Sequence, residues 1–241
     1  MTDSGATSES ADGRVISIPA RVLLAATASI LLVVLILQAG SYANAYSAQY
    51  RVHTNIDSWY KSTLLPTAEQ WTEAETTIKS AIELMPDNAS LINTLGRLYE
   101  FRAFQMERSS ISRELHALKA IIQFRKAATV SPAWVYPWLN LVQTKARAGQ
   151  LDPEFTRAYF QATLLGPWER NAMPPLIELG LHAYGVMTIG QQKKVDSYID
   201  KVANGEADYI AGALQSRGSK AAVCEQLKKA NRRIAFEKLC N

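Results

Sequence analysis

Residues 120–149 read AIIQFRKAATVSPAWVYPWLNLVQTKARAG. Ala120, Phe124 and Ala127 stand at i, i+4 and i+7, one face of a helix, and Pro132 follows five residues after Ala127. Proline has no N–H to donate and clashes with the turn before it, so it ends that helix. Trp138 and Leu141, again three apart, open a second helix that Gly149 closes. The two alanines let antiparallel helices approach closely, and the Phe124 ring fills the space beside them. This unit is a helical hairpin, and no run of alternating β-branched residues beyond the N-terminal apolar stretch suggests a sheet.

The same offsets recur on both sides. Around Pro86, Pro132 and Pro167, an alanine stands five residues before each proline (Ala81, Ala127, Ala162) and a bulky apolar residue eight before (Ile78, Phe124, Tyr159). A leucine stands nine after each (Leu95, Leu141, Leu176). A fixed period of this kind marks an array of helix pairs, each hiding its apolar face against the next.

The pattern resembles tetratricopeptide repeats. Leu95-Gly96-x-x-Tyr99 and Trp138-x-x-Leu141 match the first-helix signature, and Ala120-x3-Phe124-x2-Ala127-x4-Pro132 matches the second. Pro132 to Pro167 is a step of 35 residues, but Pro86 to Pro132 is 46, so about twelve residues are extra. They are expected as an extended hairpin tip around Gln105–His116. Lys145 and Gly180 stand where the repeat expects tyrosine, which makes the array degenerate. The fold class expected is all-α: an N-terminal transmembrane helix followed by a degenerate tetratricopeptide-like α-solenoid.

The transmembrane expectation rests on residues 22–39, VLLAATASILLVVLILQA, which carry no charge. A rise of ~1.5 Å per residue makes this helix about 27 Å long, close to the hydrocarbon thickness of a bilayer. Arg14 and Arg21 precede it, and the next basic residue is Arg51, which places the N-terminus in the cytoplasm and the remainder on the periplasmic side of a bacterial inner membrane. The rival reading is a signal peptide cleaved after Ala43-Asn44-Ala45; the long polar leader and long apolar run favour an uncleaved anchor. The expected organisation is a disordered tail over 1–21, the span over 22–39, a membrane-proximal helix over 40–66, repeats over 67–188, and capping helices with a basic tail over 189–241. Tyr42, Tyr46 and Tyr50 share one helix face, either at the membrane surface or packed on the domain behind it.

The chain has 241 residues, 48% hydrophobic, with a net charge of +4. That length suits one or two domains with a sizeable core. Two cysteines and three scattered histidines exclude a disulfide-rich mini-fold and a four-cysteine zinc site. Cys224 and Cys240 either form a disulfide, as an oxidising compartment permits, or remain two thiols. Sixteen residues of straight helix would hold them ~24 Å apart, so a bond requires the chain to fold back around Ala230–Arg233. No nucleophile signature surrounds His53, His116 or His182, and Glu73, Glu75, Asp196 and Asp200 read as solvated helix faces. No phosphate loop or dinucleotide fingerprint is present. No catalytic residue, metal or cofactor is expected.

Two features suggest contacts. Trp134 and Tyr136 lie in the turn between Pro132 and Pro137, where rings can meet a partner side chain or a sugar. Residues 217–241 hold seven Lys/Arg against two Glu, so the rest of the chain carries −1 of the +4. Within this tail Lys228, Lys229, Arg232 and Arg233 form either a solvated face or a site for an anionic polymer, lipid headgroups or an acidic partner. Nucleic acid is excluded by the export topology.

One stretch goes beyond a generic repeat: Trp138-Leu-Asn-Leu-x4-Ala146-Arg-Ala-Gly149-Gln-Leu-Asp152, followed by Phe155 and by Gly166-Pro167-Trp168-Glu169. With the leading span and the paired C-terminal cysteines, it resembles the VpsP-like polysaccharide biosynthesis proteins. The resemblance implies an accessory role in exopolysaccharide or biofilm-matrix production. The function expected is a scaffold, not an enzyme, that binds proteins of a polysaccharide synthesis or export complex in a concave groove. The alternative is a glycan-binding module in which Trp134, Tyr136 and the basic tail hold the growing polymer.

Overall fold

The computed structural model describes residues 18–62, 65–106 and 110–240. Among the described residues ten α-helices follow one another: α1 (Ile18–Lys61), α2 (Ala68–Leu84), α3 (Ala89–Phe101), α4 (Ser110–Val130), α5 (Val135–Arg147), α6 (Pro153–Leu165), α7 (Met173–His182), α8 (Ile189–Ser216), α9 (Lys220–Lys229) and α10 (Arg233–Cys240). Among the described residues there is no strand. Contacts divide the chain into one unit ending at Asn44 and a second from Ala45 onward.

In the first unit, residues 1–17 of the expected tail lie outside the described residues, while Ile18–Arg21 already belong to α1. The helix therefore begins earlier than Val22; proline at its second position is tolerated because the first N–H groups have no intrahelical partner. Every Val, Leu and Ile from Val22 to Leu37 is exposed. The Thr27, Ser29 and Ser41 hydroxyls donate back to the carbonyls of Leu24, Ala25 and Leu37 at 2.9, 2.9 and 3.0 Å, so these three need no water. Among the described residues this is the one helix long and apolar enough to cross a membrane.

In the second unit, residues 45–61 of α1 bury Ala45, Ala48, Val52 and Ile56, a stripe at spacings of three and four. Tyr46 and Tyr50 lie off that stripe and are exposed, although the Tyr46 hydroxyl accepts from the Asn88 amide at 3.5 Å. Beside that stripe Gln49 of α1 donates to Ser90 of α3, and Asp57 pairs with Arg97 at 2.6 Å.

The three aligned prolines occupy one local structure. Each lies two residues past the end of a helix (α2, α4, α6), in a turn closed by a backbone bond from residue i+3 to residue i. The bonds run from Asn88 to Met85, Trp134 to Ser131 and Glu169 to Gly166, at 3.1, 3.1 and 3.3 Å. Proline thus stands at i+1 of a β-turn, where its fixed φ is already right. Gly149 plays the other punctuating part: at φ 71° it closes α5, and the Gln150 N–H reaches back to the Lys145 carbonyl at 2.8 Å. Asp152 then caps α6 by accepting the Phe155 N–H at 2.9 Å.

Packing follows the small residues. A Cβ on Gly96 would lie 2.5 Å from the Phe124 ring, and one on Gly180 2.3 Å from the Tyr159 hydroxyl. The Tyr159 side chain of α6 thus fills the space beside Gly180 of α7. At the other departure, Lys145 is buried and its ammonium meets Asp152 at 2.9 Å and Glu154 at 2.8 Å. Each helix from α2 onward packs chiefly on helices one or two places away in the chain. The apolar core runs as a continuous cluster from Ala45 to Leu239.

The extra residues between the first two proline turns are helical where described. Arg102–Met106 form a π-helical turn after α3, and α4 starts at Ser110, so 110–116 lengthen a helix of the hairpin whose extended tip was expected around Gln105–His116; 107–109 lie outside the described residues. His116 secures the extension from between the Trp71 and Tyr99 rings, 6.2 and 6.3 Å away. Near the C-terminus Gly190 lies in the first turn of α8, and Gly205 precedes a kink at Glu206 within it. Gly218, at φ 71°, separates α8 from α9.

Candidate functional site

α3, α5 and α7, with residues 49–60 of α1, turn one face each toward a common groove. A cavity of about 580 Å³ takes its walls from Gln49, Asn93, Asn140, Gln143 and Asn171, with Trp134 and Tyr136 also in its lining. A second, of about 480 Å³, includes Tyr60, Glu100, Arg147 and Glu178. Arg97, Asn140, Gln143, Pro175 and Arg217 line both, so the two are one groove. The polar residues recur at helical spacing, Asn93-Arg97-Glu100 on α3 and Asn140-Gln143-Arg147 on α5. This signal was readable in the sequence, beside the apolar positions that define the repeat, and sequence reasoning missed it.

The electrostatics are balanced. Asp57 meets Arg97 at 2.6 Å and the His53 imidazole at 3.2 Å, Glu100 meets Arg147 at 3.3 Å, and Glu178 takes two bonds from Arg217 at 2.8 and 3.0 Å. Ser219 adds its hydroxyl to Glu178 at 2.6 Å. Burial pushes the Glu100 carboxyl above its ordinary value, against the pull of Arg147 and Arg97. Burial also takes the Tyr60 hydroxyl up to about 12. Each arginine already holds a carboxylate, so a bare anion entering the groove competes with an existing partner. The amides present donors and acceptors side by side, which suits a ligand rich in neutral hydrogen-bonding groups. The Asn140 amide donates to Asn93 at 3.0 Å, tying α5 to α3 across the floor.

The residues expected to make contacts separate. Trp134 and Tyr136 line the groove, their rings 6.1 Å apart and edge-on. Trp134 rests on Ala89, Ile92 and Ala127, and the Tyr136 hydroxyl donates to Glu169 at 2.9 Å. Lys228, Lys229, Arg232 and Arg233 line neither cavity. Arg232 is turned inward onto Asp200 and, at 3.3 Å, Asp196, while Lys229 and Arg233 pair along their helices with Glu225 and Glu237. The single site combining the two aromatics with the basic tail is not formed. Of the other carboxylates weighed, Glu75 accepts from Tyr99 at 2.8 Å and from Lys79, and Asp196 accepts from Tyr184 at 3.0 Å.

Cys224 and Cys240 form a disulfide, with Cα atoms 5.8 Å apart. The chain folds back at Asn231, whose φ is 56°, within the expected Ala230–Arg233 turn. Among the described residues no three of His, Cys, Asp and Glu are grouped to hold a metal.

The Gly166-Pro167-Trp168-Glu169 segment has packing work at each position. A Cβ on Gly166 would lie 2.7 Å from Val135, and Pro167 makes the turn. The Trp168 ring lies over Gly205, and Glu169 receives Tyr136. No protein-family model and no curated protein matches this chain.

Proposed function

We propose that this protein is a membrane-anchored binding component, not an enzyme, of exopolysaccharide biosynthesis or export. Its second unit lies on the periplasmic side of a bacterial inner membrane and holds partner proteins in the groove of a degenerate tetratricopeptide-like array. The observation that carries the reading is the groove, whose amides and paired arginines are gathered chiefly from alternate helices, α3 and α5 above all. Recurrence of the proline turns after α2, α4 and α6 supports the repeat assignment. Arg14 and Arg21 ahead of the apolar stretch support the orientation. The likeness to the VpsP-like proteins supplies the polysaccharide context.

Site-specific photo-cross-linking in intact membranes tests this. A cross-linker at Gln143 is expected to trap envelope proteins of polysaccharide assembly, and the same group at exposed Lys126 on α4 is not. A chain that stays free of adducts at Gln143 counts against the scaffold. A reporter fused after Asn241 that works only in the cytoplasm counts against the location.

A second reading, direct glycan binding, is favoured by Trp134 and Tyr136 in the groove wall. Its amides and charge balance suit neutral sugar hydroxyls better than an anionic polymer. Titration with neutral oligosaccharides is expected to change tryptophan fluorescence in the native chain and not in Trp134→Phe.

A further inference from the structure

α4 carries apolar side chains on two opposite faces. Ala117, Ala120, Ile121, Phe124, Ala127 and Ala128 are buried in the core. On the other side Ile111, Leu115, Leu118 and Ile122 stand exposed, at 78, 50, 51 and 45%. A helix whose only work is to close the core would show polar residues there. The first two of these four belong to the insertion that lengthens this helix pair, and insertions in repeat arrays are common sites of binding surfaces.

The spacing i, i+4, i+7, i+11 is that of a two-stranded coiled-coil seam, with Leu115 and Ile122 at a and Ile111 and Leu118 at d. The next place in that repeat is Arg125, which is held by Glu154 at 2.7 and 2.9 Å, so the seam stops there. In this register Glu114 falls at g and Lys119 at the following e. A parallel pair sets g of one helix against e of the other, five residues on: glutamate meets lysine, twice by symmetry. An antiparallel pair sets g against g and e against e, and like charges meet. Lys119 is half-buried, its ammonium 5.5 Å from the Tyr99 ring, and lies on the flank of the seam.

We propose that α4 pairs in parallel with α4 of a second copy of this chain, through Ile111, Leu115, Leu118 and Ile122, with Glu114 of each copy facing Lys119 of the other. The seam is about 17 Å long, short for a free coiled coil. Its strength therefore rests on the membrane anchorage proposed above, which confines both copies and raises their effective concentration; its register does not.

Cysteine cross-linking of the full-length chain in membranes reads this directly, because the two native cysteines are bonded to each other. Leu118→Cys, and independently Leu115→Cys, is expected to give a disulfide dimer on mild oxidation, several-fold above Arg113→Cys, which is exposed away from the seam. Glu114→Lys in the Leu118→Cys chain should lower the dimer yield, and adding Lys119→Glu should restore it. Dimer yields at both seam positions no higher than the Arg113→Cys control would overturn the pairing. So would a yield that Glu114→Lys leaves unchanged. Protection of the thiol introduced by Leu118→Cys from an aqueous maleimide, without any dimer, would mean that lipid covers the stripe, and would also overturn it. Detergent-solubilised chain at low concentration separates the two proposals: the dimer should fall with dilution and reappear on reconstitution if the anchor supplies the confinement. A dimer that persists undiminished refutes that dependence.

Discussion

The Phe124 ring sits where a Cβ on Gly96 would fall, 2.5 Å from its Cε1, and the ring is fully buried. Gly96→Ala gains about 1 kcal/mol of helix propensity but overpacks the α3–α4 contact by ~1–3 kcal/mol. A net loss of up to about 2 kcal/mol is expected in urea unfolding. Phe124→Leu added to Gly96→Ala should cost less than the sum of the two alone; strictly additive losses would mean that the two do not touch. Phe124 was legible because its spacing from the prolines repeats, and Gly96 because it falls in the Leu95-Gly96-x-x-Tyr99 motif. Lys145 was legible only as a departure, since its carboxylates lie seven and nine residues on, across a turn, and spacing does not say that a lysine will be buried there. Arg125, on α4, joins the same cluster by its bond to Glu154, which with Lys145 holds that carboxyl at about 2 against an ordinary 4.5. A carboxyl depressed in the folded state binds its proton more readily once the chain unfolds. The stability it contributes is therefore complete above about pH 4.5 and fades as pH falls toward 2. Thermal melts across that window should fall more steeply for the native chain than for Glu154→Gln; parallel curves would remove the ion cluster from the account.

At the scale of the helix, α1 is read differently along its length. From Val22 to Leu37 its apolar side chains are exposed on every side, whereas from Ala45 to Ile56 it buries one stripe and exposes Tyr46 and Tyr50. The first pattern is compatible with a membrane span, and the second with a neighbouring helix. Each arginine placed at the centre of a membrane-spanning helix costs ~2.5–3.5 kcal/mol. Leu31→Arg with Val34→Arg is accordingly expected to release the chain from the membrane on alkaline extraction, without moving the melt of the second unit. Retention of the doubly charged variant would exclude α1 as the anchor. The apolar run was plain in the sequence because it is continuous. The burial of the 45–56 stripe was not, because alanine at positions 45 and 48 is as common on exposed helix faces as in tight contacts. The groove went unread for a related reason: repeat matching selects apolar positions, and Asn93, Arg97, Asn140 and Gln143 occupy the places between them. The place of the insertion was legible from the long step between Pro86 and Pro132, but not its helical form, because insertions carry no period of their own.

Over the whole second unit, helices pack on near neighbours in the chain, so a local loss should stay local. The disulfide offers the sharpest test. It joins α9 to α10, which closes the chain against α8, where Arg232 meets Asp196 and Asp200. Of the basic tail, which reads in sequence as either a solvated face or a binding site, Arg232 forms an inward clamp while Lys229 and Arg233 make helical ion pairs. Closing a loop of this size contributes ~3 kcal/mol, mostly by restricting the open chain. Cys224→Ala with Cys240→Ala should therefore expose the α9 and α10 amides to hydrogen exchange by a hundredfold or so, since 3 kcal/mol is about two decades in an opening equilibrium. Amides of α3 to α6, several helices away, should keep their protection. Equal loss everywhere would mean that the unit opens all at once, and the groove could not then survive disorder at its far end. If exchange is confined to the last two helices, the groove residues of α3 and α5 keep their geometry while the C-terminus opens. The reduced chain should then trap the same partners through Gln143 as the oxidised one.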